Sequence, residues 1–181
     1  MKDLCAQLAG VVVLLILLAG CSREFSPLTW EQLAGATYHT GNTDSKTVTL
    51  VDAEFVDEPS RVRIVLPRRF VTRGDLDGDT FVDAAVVLVS NTGGTGVFHD
   101  LCVVLNREGV PVHVATEFLG DRIRINSLEV DSGEIVLDMI VQGPDEPMCC
   151  PTRRQVRRFR LEEGALVELT GAGRDDSADH L

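Results

Sequence analysis

No apolar run in this chain is long enough to cross a bilayer as a helix. The longest, from about Leu8 to Ala19, falls short of the ~20 residues that a span requires. Cationic side chains are in the minority. Seventeen Lys and Arg stand against 28 Asp and Glu, a formal net charge of −11. That balance disfavours nucleic acid and anionic lipid as partners and suits solubility outside the cell and cation binding. No long amphipathic helical pattern interrupts the body of the sequence, which argues against a doubly wound α/β fold. Ser, His and Asp are all present, yet no Gly-x-Ser-x-Gly elbow marks a nucleophile. The four histidines (His39, His99, His113 and His180) share no ligand spacing.

What is present begins with an address. Lys2, a short apolar run and small residues before Cys21 have the layout of a secretory signal peptide. Its ending, Leu18-Ala19-Gly20-Cys21, resembles the lipobox of bacterial lipoproteins. The resemblance implies cleavage before Cys21, a thioether diacylglyceryl group on its sulfur and N-acylation. Several acyl chains at ~0.8 kcal/mol per buried CH₂ hold a protein stably on a membrane. Ser22 after the lipidated cysteine implies the outer membrane if the cell has two. Asp3 and Cys5 depart from the pattern. The expected organisation is a signal peptide over 1–20, a lipidated tether over 21–28, one domain over 29–170 and a polar, disordered tail over 171–181. About 160 mature residues suffice for one domain that buries roughly two-thirds of its unfolded surface.

Thr29 with Gln32 three residues on predicts a short helix opened by a capping box. After Gly35 the pattern turns to strands. Tyr38 lies in one, Thr47–Phe55 reads as another, and Val62, Ile64 and Leu66 line one face of a third. Phe70-Val71 adds a short one. Ala84–Val89 is apolar on both faces, as a central strand must be. The Gly-rich 91–96 loop leads into a further strand rather than a helix, so it is a hairpin and not a phosphate cradle. Val110–Phe118 alternates, with Val112, Val114 and Thr116 against His113 and Ala115. In 122–130, Ile123 and Ile125 are out of phase with Leu128 and Val130, which predicts a bulge near Asn126-Ser127. Asp131-Ser132-Gly133 is a tight hairpin, and strands over 135–141, 156–161 and 166–169 complete the count. About eight to ten short strands predict an all-β antiparallel meander, a sandwich or incomplete barrel. An open, propeller-like sheet is the alternative.

The segment Asp75-Leu76-Asp77-Gly78-Asp79-Thr80-Phe81-Val82-Asp83 carries the chemistry. Carboxylates at this density repel one another unless a cation sits among them, and Ca²⁺ takes six to eight oxygens. An EF-hand is excluded, because its sixth and twelfth positions fall on Thr80 and Val86. The spacing Asp-x-Asp-Gly-Asp-x-x-x-Asp, running into Ala-Ala-Val-Val-Leu, resembles the calcium loop of FG-GAP-type repeats. That resemblance implies side-chain ligands Asp75, Asp77, Asp79 and Asp83, with the Phe81 carbonyl between them. Thr80 departs from it, standing where such repeats carry Gly; a β-branched residue resists φ > 0. The wider layout is similar to a set of uncharacterised bacterial lipoproteins and secreted proteins. Val114-Ala115-Thr116-Glu117-Phe118-Leu119-Gly120-Asp121-Arg122 and Pro147-Met148-Cys149-Cys150-Pro151 carry the likeness. It implies a shared fold and transfers no activity.

With Cys21 lipidated, Cys102, Cys149 and Cys150 remain, an odd number for an oxidising compartment. A bridge from Cys102 to Cys149 or Cys150 is the expectation; a vicinal bridge or none are the alternatives. Adjacent cysteines without a nearby His suit zinc poorly. Arg153, Arg154, Arg157, Arg158 and Arg160 form the one basic cluster. It reads either as a solvated face offsetting the acidic body or as a contact for headgroups or an acidic partner near the anchor. The functional expectation is a membrane-anchored module of the cell envelope, binding or structural and calcium-stabilised. An envelope hydrolase with a dispersed site is the alternative. No protein or glycan partner is legible.

Overall fold

The computed structural model describes residues 26–169, apart from 145, 148 and 149. The signal peptide, Cys21, the start of the tether, Cys149 and the 171–181 tail lie outside the described residues. The expected helix α1 spans Trp30–Ala34. Its capping box is complete: the Thr29 N–H donates to Gln32 Oε1 at 2.8 Å, and the Gln32 N–H donates to Thr29 Oγ1 at 3.2 Å. Gln32 Nε2 also donates to the Gly109 carbonyl at 2.6 Å, which ties the helix to a distant turn. No helix among the described residues is long and apolar enough to cross a membrane.

Among the described residues the chain forms twelve strands. They are β1 (Thr37–His39), β2 (Thr47–Thr49), β3 (Glu54–Asp57), β4 (Val62–Val65), β5 (Val71–Gly74), β6 (Asp83–Asn91), β7 (Phe98–Arg107), β8 (Val110–Asp121), β9 (Arg124–Asp131), β10 (Glu134–Val141), β11 (Arg153–Glu162) and β12 (Ala165–Glu168). All pairings are antiparallel. β1 and β2 form a hairpin; β3-β4-β6-β7-β8 form the central sheet; β12-β11-β10-β9 form the second. β5 joins the first half of β6, and β4 pairs its last three residues, so two short strands share one edge. Among the described residues the sheets do not close into a barrel. The fold is all-β and sandwich-like.

β6 and β7 hold this arrangement together. Ala84, Val86, Leu88, Cys102 and Val104 face a core built with Leu33, Tyr38, Leu50 and Ile64 from α1 and the first strands. Ala85, Val87, Leu101, Val103 and Leu105 face the opposite way. They meet Ile135, Leu137, Met139 and Phe159 of the second sheet. The doubly apolar sequence of β6 thus reflects burial on both faces. At ~25 cal/mol per Å² of apolar area removed from water, these two cores supply the main driving force of the fold.

Two details differ from the sequence reading. Thr47–Phe55 is not one strand. Asp52 and Ala53 both take positive φ (52° and 68°) and turn the chain between β2 and β3, although neither Gly nor Pro marks the place. Nor is β8 a strict alternation, because Val114 and Leu119 are bulged residues where its pairing with β7 shifts register. The bulge in β9 falls as expected. Ser127 pairs with Asp138 and Ile125 with Met139, leaving Asn126 as the extra residue.

The sheets pack tightly where β5 lies against β9. A Cβ on Gly74 would fall 2.4 Å from Val130 Cγ1 and 2.9 Å from Val130 Cβ. Gly74→Ala is therefore expected to destabilise by about 1–3 kcal/mol through overpacking. A matching Val130→Ala change should recover part of that loss. Urea midpoints of the wild type, both single variants and the double variant measure the coupling; a Gly74→Ala midpoint equal to wild type refutes the steric account.

Candidate metal centre

The aspartate loop lies between β5 and β6, at one end of the central strand. Ligand atoms from Asp75, Asp77, Asp79 and Asp83 all lie within 4.8 Å of one another. Oxygens ~2.3–2.6 Å from one Ca²⁺ can be at most about 5 Å apart, so this separation fits a common ion. The four carboxylates that the sequence singles out are brought together, and the cluster could hold a metal.

Each carboxylate also holds backbone. Asp75 accepts from the Gly78 N–H through Oδ1 (2.7 Å) and from the Thr80 N–H through Oδ2 (3.0 Å). Asp77 Oδ1 accepts from Asp79 N (3.2 Å), and Asp79 Oδ1 from Phe81 N (2.8 Å). Asp83 is fully buried. Its Oδ2 accepts from Leu76 N at 2.9 Å, closing the loop, and its Oδ1 accepts from Asn106 N at 2.8 Å, fixing the loop to the end of β7. Burial raises the Asp83 pKa most. The two amides oppose that shift, and the nearby charges of Asp77 and Asp79 add to it. Thr80 adopts φ +73°, beside Gly78 at +82°. The β-branched residue thus sits in the left-handed region that disfavours it.

A cation missing from the sequence reading also stands at this loop. Arg107 places Nη2 2.9 Å from Asp77 Oδ2 and Nη1 2.8 Å from Asp79 Oδ2. It arrives from the last residue of β7, 28 residues beyond Asp79, so no local motif announces it. Arg107 is half-exposed, so solvent screens both ion pairs and their direct contribution to stability is small. Its significance is electrostatic, since it offsets part of the repulsion for which a metal was invoked.

Cys102 is a free, fully buried thiol. No bridge joins it to Cys150, and Cys149 lies outside the described residues. Cys102 faces the N-terminal core, whereas the exposed Cys150 belongs to the β10–β11 connection of the second sheet. Burial pushes the Cys102 pKa up to about 12, so the thiol stays neutral. The arginine cluster is largely turned on this chain's own carboxylates. Arg154 binds Asp138 at 2.8 Å, and Arg158 and Arg160 meet Glu134 at 3.3 and 2.6 Å. Arg157, with a side chain only 14% exposed, joins Glu117 of β8 (2.8 Å) to Glu168 of β12 (2.7 Å) and so links the two sheets.

The sequence reading left the histidines unassigned, but two of them meet. His39 of β1 and His113 of β8 have ring centroids 4.8 Å apart, with Tyr38 edge-on to His113 at 5.9 Å. The Val114 bulge puts His113 on the face of Thr116, whose Oγ1 lies 2.9 Å from His113 Nε2 and donates to the His39 carbonyl at 2.8 Å. Comparisons with protein-family models, curated proteins and solved structures match nothing to this chain.

Burial, and then the His39 charge, lower the His113 pKa from 6.5 to about 4. A folded-state pKa below the unfolded one means that the unfolded chain binds more protons between those values. Stability from this site is therefore whole above pH 6.5, falls with acidification and levels off below about pH 4. Asp83 and Asp100, raised by burial, act in the opposite direction. The informative quantity is thus the wild-type urea midpoint minus that of His113→Gln, followed from pH 7.5 to 3.5. This difference should decline across the window; a flat difference would refute the assignment.

Proposed function

We propose that this chain is a lipid-anchored module of the bacterial cell envelope, attached through Cys21, that binds or scaffolds rather than catalyses, with a calcium-stabilised loop at 75–83. One observation carries the address: an apolar run ending in Leu18-Ala19-Gly20-Cys21. Leu28 is already buried in the N-terminal core. The seven residue steps from Cys21 to Leu28 reach at most about 25 Å at ~3.5 Å each. The folded body is thereby held close to its membrane. If the cell has two membranes, Ser22 favours the outer one.

The oxygen cluster supports the calcium part. Asp75, Asp77, Asp79 and Asp83 would hold the ion with the Phe81 carbonyl and water, and bound calcium would brace the start of β6. Strain at Thr80 and competition from Arg107 argue for Kd values of about 10⁻⁴–10⁻³ M, typical of extracellular calcium modules. A flexible, oxygen-rich loop suits Ca²⁺ better than Mg²⁺. The hydrolase alternative would need convergent groups that move protons or attack. The cleft described below instead carries guanidinium groups around an apolar floor, a combination suited to holding a ligand.

Radiolabelled palmitate should enter the wild type and spare Cys21→Ala; equal labelling would overturn the anchor. The ion is tested by melting the purified protein in EDTA, 10 mM Ca²⁺ or 10 mM Mg²⁺. At ~10–100 times Kd, calcium contributes roughly 1.4–2.7 kcal/mol, or about 4–10 °C for a domain of this size. Arg107→Gln should melt lower than wild type in EDTA and gain more from calcium. If calcium moves the Tm of neither protein, the aspartates form a hydrogen-bonded turn neutralised by Arg107 alone.

A further inference from the structure

A second site lies where the central sheet and the second sheet diverge, separate from the aspartate loop. An open cleft of about 600 Å³ is floored by Val65, Phe70, Val89, Ile123 and Ile125 and bordered by Arg69, Arg122, Arg124 and His99. Its volume falls in the ~300–1,000 Å³ range of small-molecule sites, and its lining joins apolar walls to a few polar groups, as such sites do.

Arg63, Arg107, Arg154, Arg157, Arg158 and Arg160 all engage carboxylates. At the cleft, Arg122 is braced by the Thr95 carbonyl and hydroxyl, both at 3.1 Å, and lies 3.4 Å from Asp121. Arg69 and Arg124, like Arg61, Arg68 and Arg73, are not among these pairs, and they alone of that group border the cleft. Among the described residues neither meets a carboxylate, and Arg69 stacks on the Phe70 ring with 4.5 Å from Cζ to the centroid. Two exposed guanidinium groups therefore converge on one apolar hollow in a protein of net charge −11.

His99 supplies an independent observation. It is only 6% exposed and lines the cleft, and among the described residues its Nδ1, enclosed behind the cleft wall, has no hydrogen-bond partner. Buried polar atoms are satisfied in the great majority of cases, and an orphan costs about 1–3 kcal/mol. Burial also lowers the His99 pKa, with the backbone of Val97 and Gly120 and the charge of Asp121 opposing the shift. A neutral imidazole at the wall and guanidinium groups at the rim together match a ligand with an anionic head and an apolar body.

We propose that the Arg69/Arg124/His99 cleft binds a small organic carboxylate, its head held by the guanidinium groups and its hydrocarbon body lying on Val89, Ile123 and Ile125. This deepens the binding-module reading by naming a ligand class. Arg–carboxylate pairing supplies orientation as well as attraction, and the apolar floor selects for chain or ring. The ligand could come from solution or from a membrane amphiphile, because the head chemistry is the same.

The test uses the full chain in lipid nanodiscs, with calorimetric titrations of hexanoate, hexylphosphate and hexan-1-ol and empty nanodiscs as the blank. Hexanoate is expected to bind one-to-one. Hexanol should bind at least about tenfold more weakly, since a hydrogen bond to a charged group is worth that factor or more. Arg69→Gln with Arg124→Gln should cost hexanoate a similar factor while leaving the Tm within a degree or two of wild type. Tighter binding of hexylphosphate would replace the carboxylate assignment with a phosphate one. Absence of hexanoate heat above the blank, or equal affinity in the double variant, would overturn the proposal. Palmitate labelling and the calcium melts are independent of the cleft, so its failure would leave the envelope reading intact. Membrane-derived ligand would appear as fatty acid co-extracted with the wild type and missing from the double variant; without co-extracted acid, the ligand comes from solution.

Discussion

Burial of β6 and β7 on both faces is the constraint from which the rest follows. Ala84 through Leu88 and Leu101 through Val104 have no exposed surface. A strand pair with apolar side chains pointing both ways cannot lie at a surface, so one layer must cover each side. The short N-terminal elements cover one face and the second sheet covers the other. Asp83 adds a polar fixture at the start of this strand. As a buried carboxylate it is tolerable only because Leu76 N and Asn106 N both donate to it. The same two bonds shape the acidic loop. Loop and core therefore depend on one side chain.

A second buried carboxylate performs a related task on the N-terminal side. Asp100 of β7 accepts from Thr40 Oγ1 at 2.8 Å and from Asn42 Nδ2 at 2.7 Å, which anchors the β1–β2 hairpin to the central sheet. Tyr38 of the same hairpin donates to the Leu33 carbonyl at 2.8 Å. Polar groups in these cores thus mark joints between layers, and the apolar groups fill what lies between them. Arg157 follows the same logic across the other interface. Its guanidinium lies over Phe159 and reaches carboxylates of both sheets. Breaking one partner of such a half-buried set leaves the others uncompensated.

Much of the fold is legible in the sequence because its signals are local. Thr29 and Gln32 lie three residues apart and cap one another. Ile123 and Ile125 against Leu128 and Val130 disclose a phase change, and one extra residue, Asn126, accounts for it. Turns with Gly at their second place, such as Ser132-Gly133 and Glu163-Gly164, take the positive φ values their composition suggests. Where the signal is tertiary the reading fails. The turn at Asp52-Ala53 has ordinary residues in left-handed conformations, held by an Ala53 N–H that donates to the Ala34 carbonyl at 2.9 Å. Counting alternation in β8 assumes one register, whereas Val114 and Leu119 each break it. At the acidic loop the sequence discloses the anions and their spacing. It conceals Arg107, because the partner comes from another hairpin. The surroundings of Cys102 are hidden for the same reason: an odd cysteine count carries no information about which core a thiol faces.

The order of strands along the chain has a consequence of its own. Everything in the central sheet comes from residues 54–121, and everything in the second sheet from residues 124–168. A cut between Asp121 and Arg124 would sever no backbone ladder within either sheet. Each fragment would keep its own hairpins and still expose the apolar face that its counterpart covers. Neither piece is a domain in its own right, and the pair has the layout of a split protein whose halves complement one another. A ribosome releasing the chain from its N-terminus would thus deliver one whole sheet, with its face still uncovered, before the other has emerged.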